Sequence, residues 1–160
     1  MSLSQNVGVI VEKTLTQMNV REGAWIKLVK GTFAAESGLK ELFDEANDCY
    51  GFSMMHRDWL ADILKSVIGP SKKLQGDILR ATGVDTSKQN LIEILEAMRY
   101  NIAFQVAMTY CGYSSSYLLN PDDNIESLAK EYIKYWVQDD KDKEAGAHFK
   151  ASYNEIFINK

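Results

Sequence analysis

The most constraining part of the chain is LIEILEAMRYNIAFQVAMTYC, residues 91–111. Its second half is apolar on nearly every side, and a helix of that kind is stable only where neighbours cover most of its faces. The apolar spacing, with Thr86 and Gln89 as a capping pair, predicts one long helix over about residues 87–111. We therefore expect this helix to lie at the centre of the fold.

Outside this stretch, apolar residues repeat with the period of a helix in about six further segments. Several have recognisable ends: Ser2 and Gln5 have the spacing of a capping box, and the pair at residues 69–70 is a Gly-Pro helix stop. A short helix is expected over residues 39–46, and no segment has a convincing strand pattern. The chain also has only 2 prolines. Because proline breaks helix interiors, this scarcity favours helices joined by short connections. We therefore predict an all-α fold, an irregular bundle of about seven helices around the long central helix.

Length and composition predict one globular domain. The chain has 160 residues, of which 46% are hydrophobic and 25% are charged. A chain of this size and composition buries enough apolar surface to fold without disulfides or a structural metal. We therefore predict a single all-helical domain over residues 1–160.

Charge and hydropathy restrict the partners. The formal net charge is −4, which disfavours nucleic acid and anionic membranes as the main partners. No apolar run reaches the ~18 residues of a membrane span, and the N-terminal residues lack the basic and apolar regions of a signal peptide. The sequence thus predicts a cytoplasmic protein with no membrane partner.

Few residues of the chain are typical metal ligands. His56 and His148 are the only histidines, and neither belongs to an HExxH or Glu-x-x-His motif. The acidic run over residues 139–144 lacks the glycine and the final glutamate of a calcium loop. The glycines also form no nucleotide-binding pattern. We therefore predict no metal site and no cofactor.

Covalent catalysis would need a nucleophile placed beside a base. The two cysteines, Cys49 and Cys111, are far apart in the sequence and have no CxxC spacing. A Cys–His pair remains open by residue count alone, but no local pattern marks either cysteine. We assign no catalytic residue, and the sequence leaves enzymatic activity uncertain while favouring a non-enzymatic protein.

A polar stripe interrupts the apolar surface of the long helix. Asn101, Gln105 and Thr109 follow each other at intervals of four residues and therefore share one face. Neighbouring helices or solvent can satisfy such groups, and another chain can pack on them. They can also line a ligand cavity between helices. These three residues are our candidates for binding a small molecule.

Tyrosines follow the long helix closely. Tyr113 and Tyr117 flank three serines, and Tyr135 lies off the predicted apolar stripe of the next helix. Tyrosine supplies rigid contact area with a polar tip, and serine supplies adaptable hydrogen bonds. We therefore predict that these three tyrosines contact a protein partner.

Residues 74–95 resemble a helix-turn-helix motif, because Ala81, Gly83 and Val84 have the small, glycine and apolar character of its turn. The resemblance is incomplete. Gln89 occupies the position where the motif places an apolar residue, and glutamates on the second helix would repel phosphate. DNA binding is therefore the third hypothesis for this chain.

The exclusion of these chemistries leaves two stronger hypotheses for the function. The first is a non-enzymatic interaction or regulatory module that binds a protein partner or self-associates as a homodimer. The second is a helical bundle that binds a small molecule along the polar stripe of the long helix.

Overall fold

The structure is a computed structural model, and it describes residues 1–116, 120–139 and 142–159. Eight helices account for most of the described residues, so the prediction of an all-α fold is confirmed. The helices are α1 (Leu3–Gln17), α2 (Gly23–Ser37), α3 (Arg57–Ile63), α4 (Lys72–Thr82), α5 (Leu91–Tyr100), α6 (Ile102–Ser115), α7 (Ile125–Glu131) and α8 (Lys143–Tyr153).

Three of the helices continue into wider, π-helical turns. The turn Leu64–Ile68 follows α3, Tyr132–Val137 follows α7, and Asn154–Ile158 follows α8. π-Helical segments are rare, and they shift the side chains that follow them relative to a regular α-helix. The last of these turns carries the C-terminal part of the chain against α1.

The prediction of one continuous helix over residues 87–111 is wrong. The helix is divided at Asn101, whose backbone is extended, with φ −108° and ψ 97°. The Asn101 side chain accepts a hydrogen bond from the amide of Phe104 at 3.0 Å and so caps the start of α6. Asparagine favours this position because its side chain competes for backbone groups. The capping box of α5 is formed by Asn90 and Glu93, rather than by the expected pair.

The second half of the stretch is nevertheless central, as its apolar character predicted. Helix α6 packs against α1, α2, α3, α4 and α5. Nine of its residues are buried, and they occupy all of its faces. Nearly all the buried hydrophobic side chains of the described residues form one continuous cluster, which includes residues from every helix.

The short helix expected over residues 39–46 is also absent. The segment instead begins a small antiparallel sheet with the strand order β1 (Phe43–Asp44), β2 (Cys49–Tyr50) and β3 (Met55–His56). Gly38 ends α2 in a left-handed conformation, with φ 59°, so the chain turns away before a new helix can start. The Asp44 carboxylate then accepts a hydrogen bond from the side chain of Asn47 at 2.7 Å, which stabilises a turn.

Among the described residues, no helix combines the length and apolar character needed to cross a lipid bilayer.

Candidate interaction site

Asn101 connects three helices. Its side-chain amide donates a hydrogen bond to the Thr82 carbonyl oxygen at 2.9 Å, and its side-chain oxygen caps α6. Thr82 is the last residue of α4, so one side chain fixes the end of α4 against the junction between α5 and α6. Asn101 therefore has a structural role, whether or not it also contacts a ligand.

Gln105 lies wholly inside the protein, with no exposed surface. Its side-chain oxygen accepts a hydrogen bond from the Phe52 amide at 3.0 Å. A Cβ atom at Gly51 would lie 2.9 Å from Cγ of Gln105, so glycine lets the chain approach α6 at this point. Gln105 thus anchors the turn between β2 and β3 on α6, while its side-chain nitrogen has no hydrogen-bond partner among the described residues.

Thr109, the third residue of the polar stripe, is also fully buried. Its hydroxyl donates to the Gln105 carbonyl oxygen at 2.7 Å, a bond within the same helix. Gln105 and Thr109 are thus enclosed by protein, whereas Asn101 lines a surface groove. Whether the stripe binds a small molecule stays a prediction.

The structure separates the three predicted contact tyrosines. Tyr113 is fully buried in α6, so contrary to the prediction its side chain offers no surface to a partner in this fold. The apolar surroundings of α6 explain this burial, because the helix continues to Ser115 instead of ending before the tyrosine. Tyr135 is half-buried, with the amine of Lys134 4.8 Å from its ring centroid. Tyr117 lies outside the described residues.

The hydroxyl of Tyr113 has a defined partner inside the protein. It lies 2.6 Å from the hydroxyl of Thr32 on α2. Because Thr32 donates its proton to the Leu28 carbonyl oxygen at 2.9 Å, Tyr113 must be the donor to Thr32. Burial raises the pKa of Tyr113 well above its ordinary value, so the phenol stays a neutral donor.

A groove runs along one side of α1, and the exposed side chains of Lys13, Arg80 and Tyr100 are part of its lining. We name it the Tyr100 groove, and it has a volume of about 570 Å³. Its walls come from α1, from the end of α4 and from the junction between α5 and α6. The residues that define it are Ile10, Lys13, Arg80, Tyr100, Asn101 and Ile102.

Tyr100 is the most exposed aromatic side chain on this surface. It is 72% exposed at the end of α5, and the Arg99 guanidinium lies 5.3 Å from its ring centroid. Single exposed aromatic side chains are common on protein surfaces, so Tyr100 is of interest for its place beside the groove rather than for its exposure alone. The sequence pattern did not indicate Tyr100 as a candidate contact residue, because it places this residue inside a continuous helix. An aromatic residue directly before a capping asparagine was the signal available.

The Tyr100 groove has a positive character in an acidic protein. Its described lining includes Lys13 and Arg80 and no carboxylate. The surface thus favours an acidic group although the chain as a whole has a net charge of −4.

Arg80 is held in place by several bonds. Its guanidinium donates to the Gln17 carbonyl oxygen at 2.8 Å and to the Asp77 carboxylate at 2.7 Å. Burial acts to raise the pKa of Asp77, but hydrogen bonds from Lys73 and Arg80 outweigh it and leave the pKa below its ordinary value. Asp77 is therefore ionised at neutral pH, and Arg80 presents a fixed edge to the groove.

A second groove lies on the other side of α1. We name it the Lys30 groove, and it has a volume of about 670 Å³ between α1, α2 and the C-terminal π-helical turn. Met1 and Val9 line this groove and are large hydrophobic side chains that remain exposed. Its defining residues are Ser4, Gly8, Val9, Lys30, Ile156 and Phe157.

The cysteines are poorly suited to nucleophilic chemistry. Cys49 and His56 are paired in register on β2 and β3. Burial and nearby carboxylates, of which Asp44 is one, raise the pKa of the Cys49 thiol, however, and so disfavour the reactive thiolate. Burial raises the pKa of Cys111 to about 12. The described residues include no group of three or more His, Cys, Asp or Glu side chains that could hold a metal ion.

The segment that resembles a helix-turn-helix has a different connection. Helices α4 and α5 are joined by residues 83–90, which is longer than the ~3–4-residue turn of that motif. The Glu93 carboxylate accepts a hydrogen bond from the Asn90 amide at 2.9 Å and so lies at the start of the would-be recognition helix. This geometry gives DNA binding no support.

Comparisons with protein-family models, with curated proteins and with solved structures find no match for this chain.

Proposed function

We propose that this protein is a non-enzymatic interaction module that binds a partner protein through the Tyr100 groove and the adjoining exposed face of α1. The observation that carries the proposal is Tyr100 itself, a largely exposed aromatic ring at the rim of a groove. Tyrosine and arginine are enriched among the residues that dominate interface energies, and this surface presents both.

The groove chemistry defines the kind of partner. Ile10 and Ile102 offer apolar contact, and Lys13 and Arg80 offer positive charge, so the complementary surface is apolar with acidic residues at its edge. An amphipathic helix that carries a glutamate or aspartate would meet these requirements. A homodimer is one form of this interaction. The cytoplasmic location and the absence of a cofactor stay predictions.

The test compares the proteins captured by the unmodified chain and by three variants. Tyr100→Ala removes the ring, Lys13→Glu reverses a charge in the groove, and Ile92→Ala removes an equally prominent hydrophobic side chain elsewhere. Ile92 is 67% exposed on α5 and does not line the Tyr100 groove, which makes it a matched control. Each form is used as bait in a lysate of the native cells, and self-association is followed by sedimentation.

The proposal predicts a partner, or a self-associated form, that Tyr100→Ala and Lys13→Glu both weaken and Ile92→Ala leaves unchanged. Truncation of a central aromatic contact costs about 2 kcal/mol or more, which is at least a tenfold loss of affinity. Equal binding by all four forms would exclude the Tyr100 groove as the contact surface.

A further inference from the structure

Lys30 crosses from α2 to the surface of α1. A Cβ atom at Gly8 would lie 3.3 Å from both Cε and Nζ of Lys30, a distance tighter than ordinary van der Waals contact. The glycine therefore leaves the space in which the lysine side chain lies. As a result, the ammonium group is held along the wall of the Lys30 groove instead of extending into solvent.

The ammonium group has no ion-pair partner among the described residues. It lies 5.5 Å from the ring centroid of Phe157, a cation–π contact that offsets part of its lost hydration. Burial lowers the pKa of Lys30, and the charge of Glu12 opposes this effect only in part. The charged form of Lys30 is thus incompletely compensated within the protein.

The rest of the groove combines apolar side chains with polar ones, among them Ser4 and Gln5. Val9, Ile156 and Phe157 line it, and its volume of about 670 Å³ is within the range of ~300–1,000 Å³ found for small-molecule sites. Glu12 also lines the groove, which adds one negative charge beside one positive charge. Glu12 repels any negative charge in the groove, and this repulsion grows with the charge of the ligand, so a ligand with one negative charge gains the pairing with Lys30 at the least repulsion.

We propose that the Lys30 groove binds a small amphiphilic monocarboxylate, with its carboxylate on the Lys30 ammonium group and its apolar chain against Val9 and Phe157. Such a ligand supplies the missing ion pair and covers apolar surface at the same time. The site is separate from the Tyr100 groove, so the two proposals stand or fall independently.

The first measurement is calorimetric binding of decanoate, with decanol as a neutral ligand of the same chain length and both below micelle-forming concentrations. The protein is expected to bind decanoate about fivefold or more tightly than decanol, as one partly buried ion pair would provide. Lys30→Met removes the charge and keeps the apolar stem, so it should abolish this difference. Lys13→Met, in the Tyr100 groove, should preserve it.

A second measurement does not depend on a variant. The pKa of the Lys30 amine, followed by NMR, should rise when decanoate binds, because the carboxylate stabilises the charged form. The proposal is overturned if decanoate does not bind, if decanol binds equally well, or if Lys30→Met retains the preference. Binding of decanoate without a change in the Lys30 resonance would also overturn it.

Discussion

The side-chain amide of Asn101 donates a hydrogen bond to the carbonyl oxygen of Thr82 across a distance of 2.9 Å. The same side chain caps α6 through the Phe104 amide. One residue thus ends α5, begins α6 and attaches both to α4. Because Tyr100 directly precedes it, this connection also fixes the backbone from which the exposed ring extends at the rim of the Tyr100 groove.

Replacement of Asn101 should therefore destabilise the fold. Asn101→Ala removes the cap and the bond to Thr82, and we expect a loss of about 1–2 kcal/mol in the free energy of unfolding. Asn101→Ser retains a capping oxygen and loses the amide donor, so it should cost less. Urea denaturation measures both. An Asn101→Ala protein as stable as the unmodified chain would contradict the structural role.

Substitution of Gln105 should destabilise the fold more than substitution of Thr109. Gln105→Leu leaves the buried Phe52 amide without its acceptor, and we expect a cost of about 1–3 kcal/mol. Thr109→Val should cost less, because the Gln105 carbonyl remains within the hydrogen-bonding pattern of α6. The comparison uses urea denaturation. If Gln105→Leu were neutral or stabilising, the free-energy cost of the unpaired side-chain nitrogen would exceed the gain from the hydrogen bond to Phe52.

These residues show which features of the fold the sequence predicts and which it does not. The apolar content of residues 102–111 predicts a buried central helix, and α6 has that character. The break at Asn101 could not be seen in the same pattern, because apolar residues continue on both sides of it. A capping asparagine inside an apolar run is a local backbone signal, and hydrophobic periodicity does not detect such signals.

The small sheet was missed for a related reason. Leu39, Leu42 and Phe43 have helical spacing, yet Leu39 and Asp48 adopt positive φ angles of 58° and 52°. Backbone conformations of this kind depend on the packing around the turn and are rarely indicated by residue type when the residue is leucine. The candidate site shares this limit, since both grooves are formed by elements distant in the sequence.

Tyr113 should respond differently to two substitutions. Tyr113→Phe removes the bond to Thr32 and should cost about 1 kcal/mol. Tyr113→Ala also removes ring packing against Trp25 and Trp136 and should cost about 3–5 kcal/mol. Thermal unfolding measures these costs, and sedimentation should show that Tyr113→Phe retains any self-association. If Tyr113→Phe lost its association and kept its stability, Tyr113 would belong to the contact surface, as the sequence predicts.

Glu36 should make the stability depend on pH. Burial raises the pKa of this carboxyl group, although the hydrogen bond donated by Tyr132 at 2.5 Å partly opposes the shift. Its contribution to stability is therefore complete below the ordinary glutamate pKa and is lost as the pH rises through the raised value. Glu36→Gln keeps an acceptor for Tyr132 and cannot ionise.

We expect Glu36→Gln to be more stable than the unmodified chain at pH 7 and to lose this advantage as the pH falls to about 4. Denaturation curves across this range measure the difference, with Glu45→Gln at an exposed position as the control for charge removal. A Glu36→Gln advantage that is constant with pH would show that ionisation of Glu36 is not its cause.

Site-specific photo-crosslinking shows whether the Tyr100 groove contacts a protein. The photoreactive residue p-benzoylphenylalanine replaces Tyr100 in one form and Ile92 in a second, and both are irradiated in the native cells. The account predicts a discrete protein adduct from position 100 that is absent from position 92 and weakened by Lys13→Glu. An adduct of twice the chain mass would identify a second copy as the partner. No adduct from position 100, or the same adducts from both positions, would contradict the account.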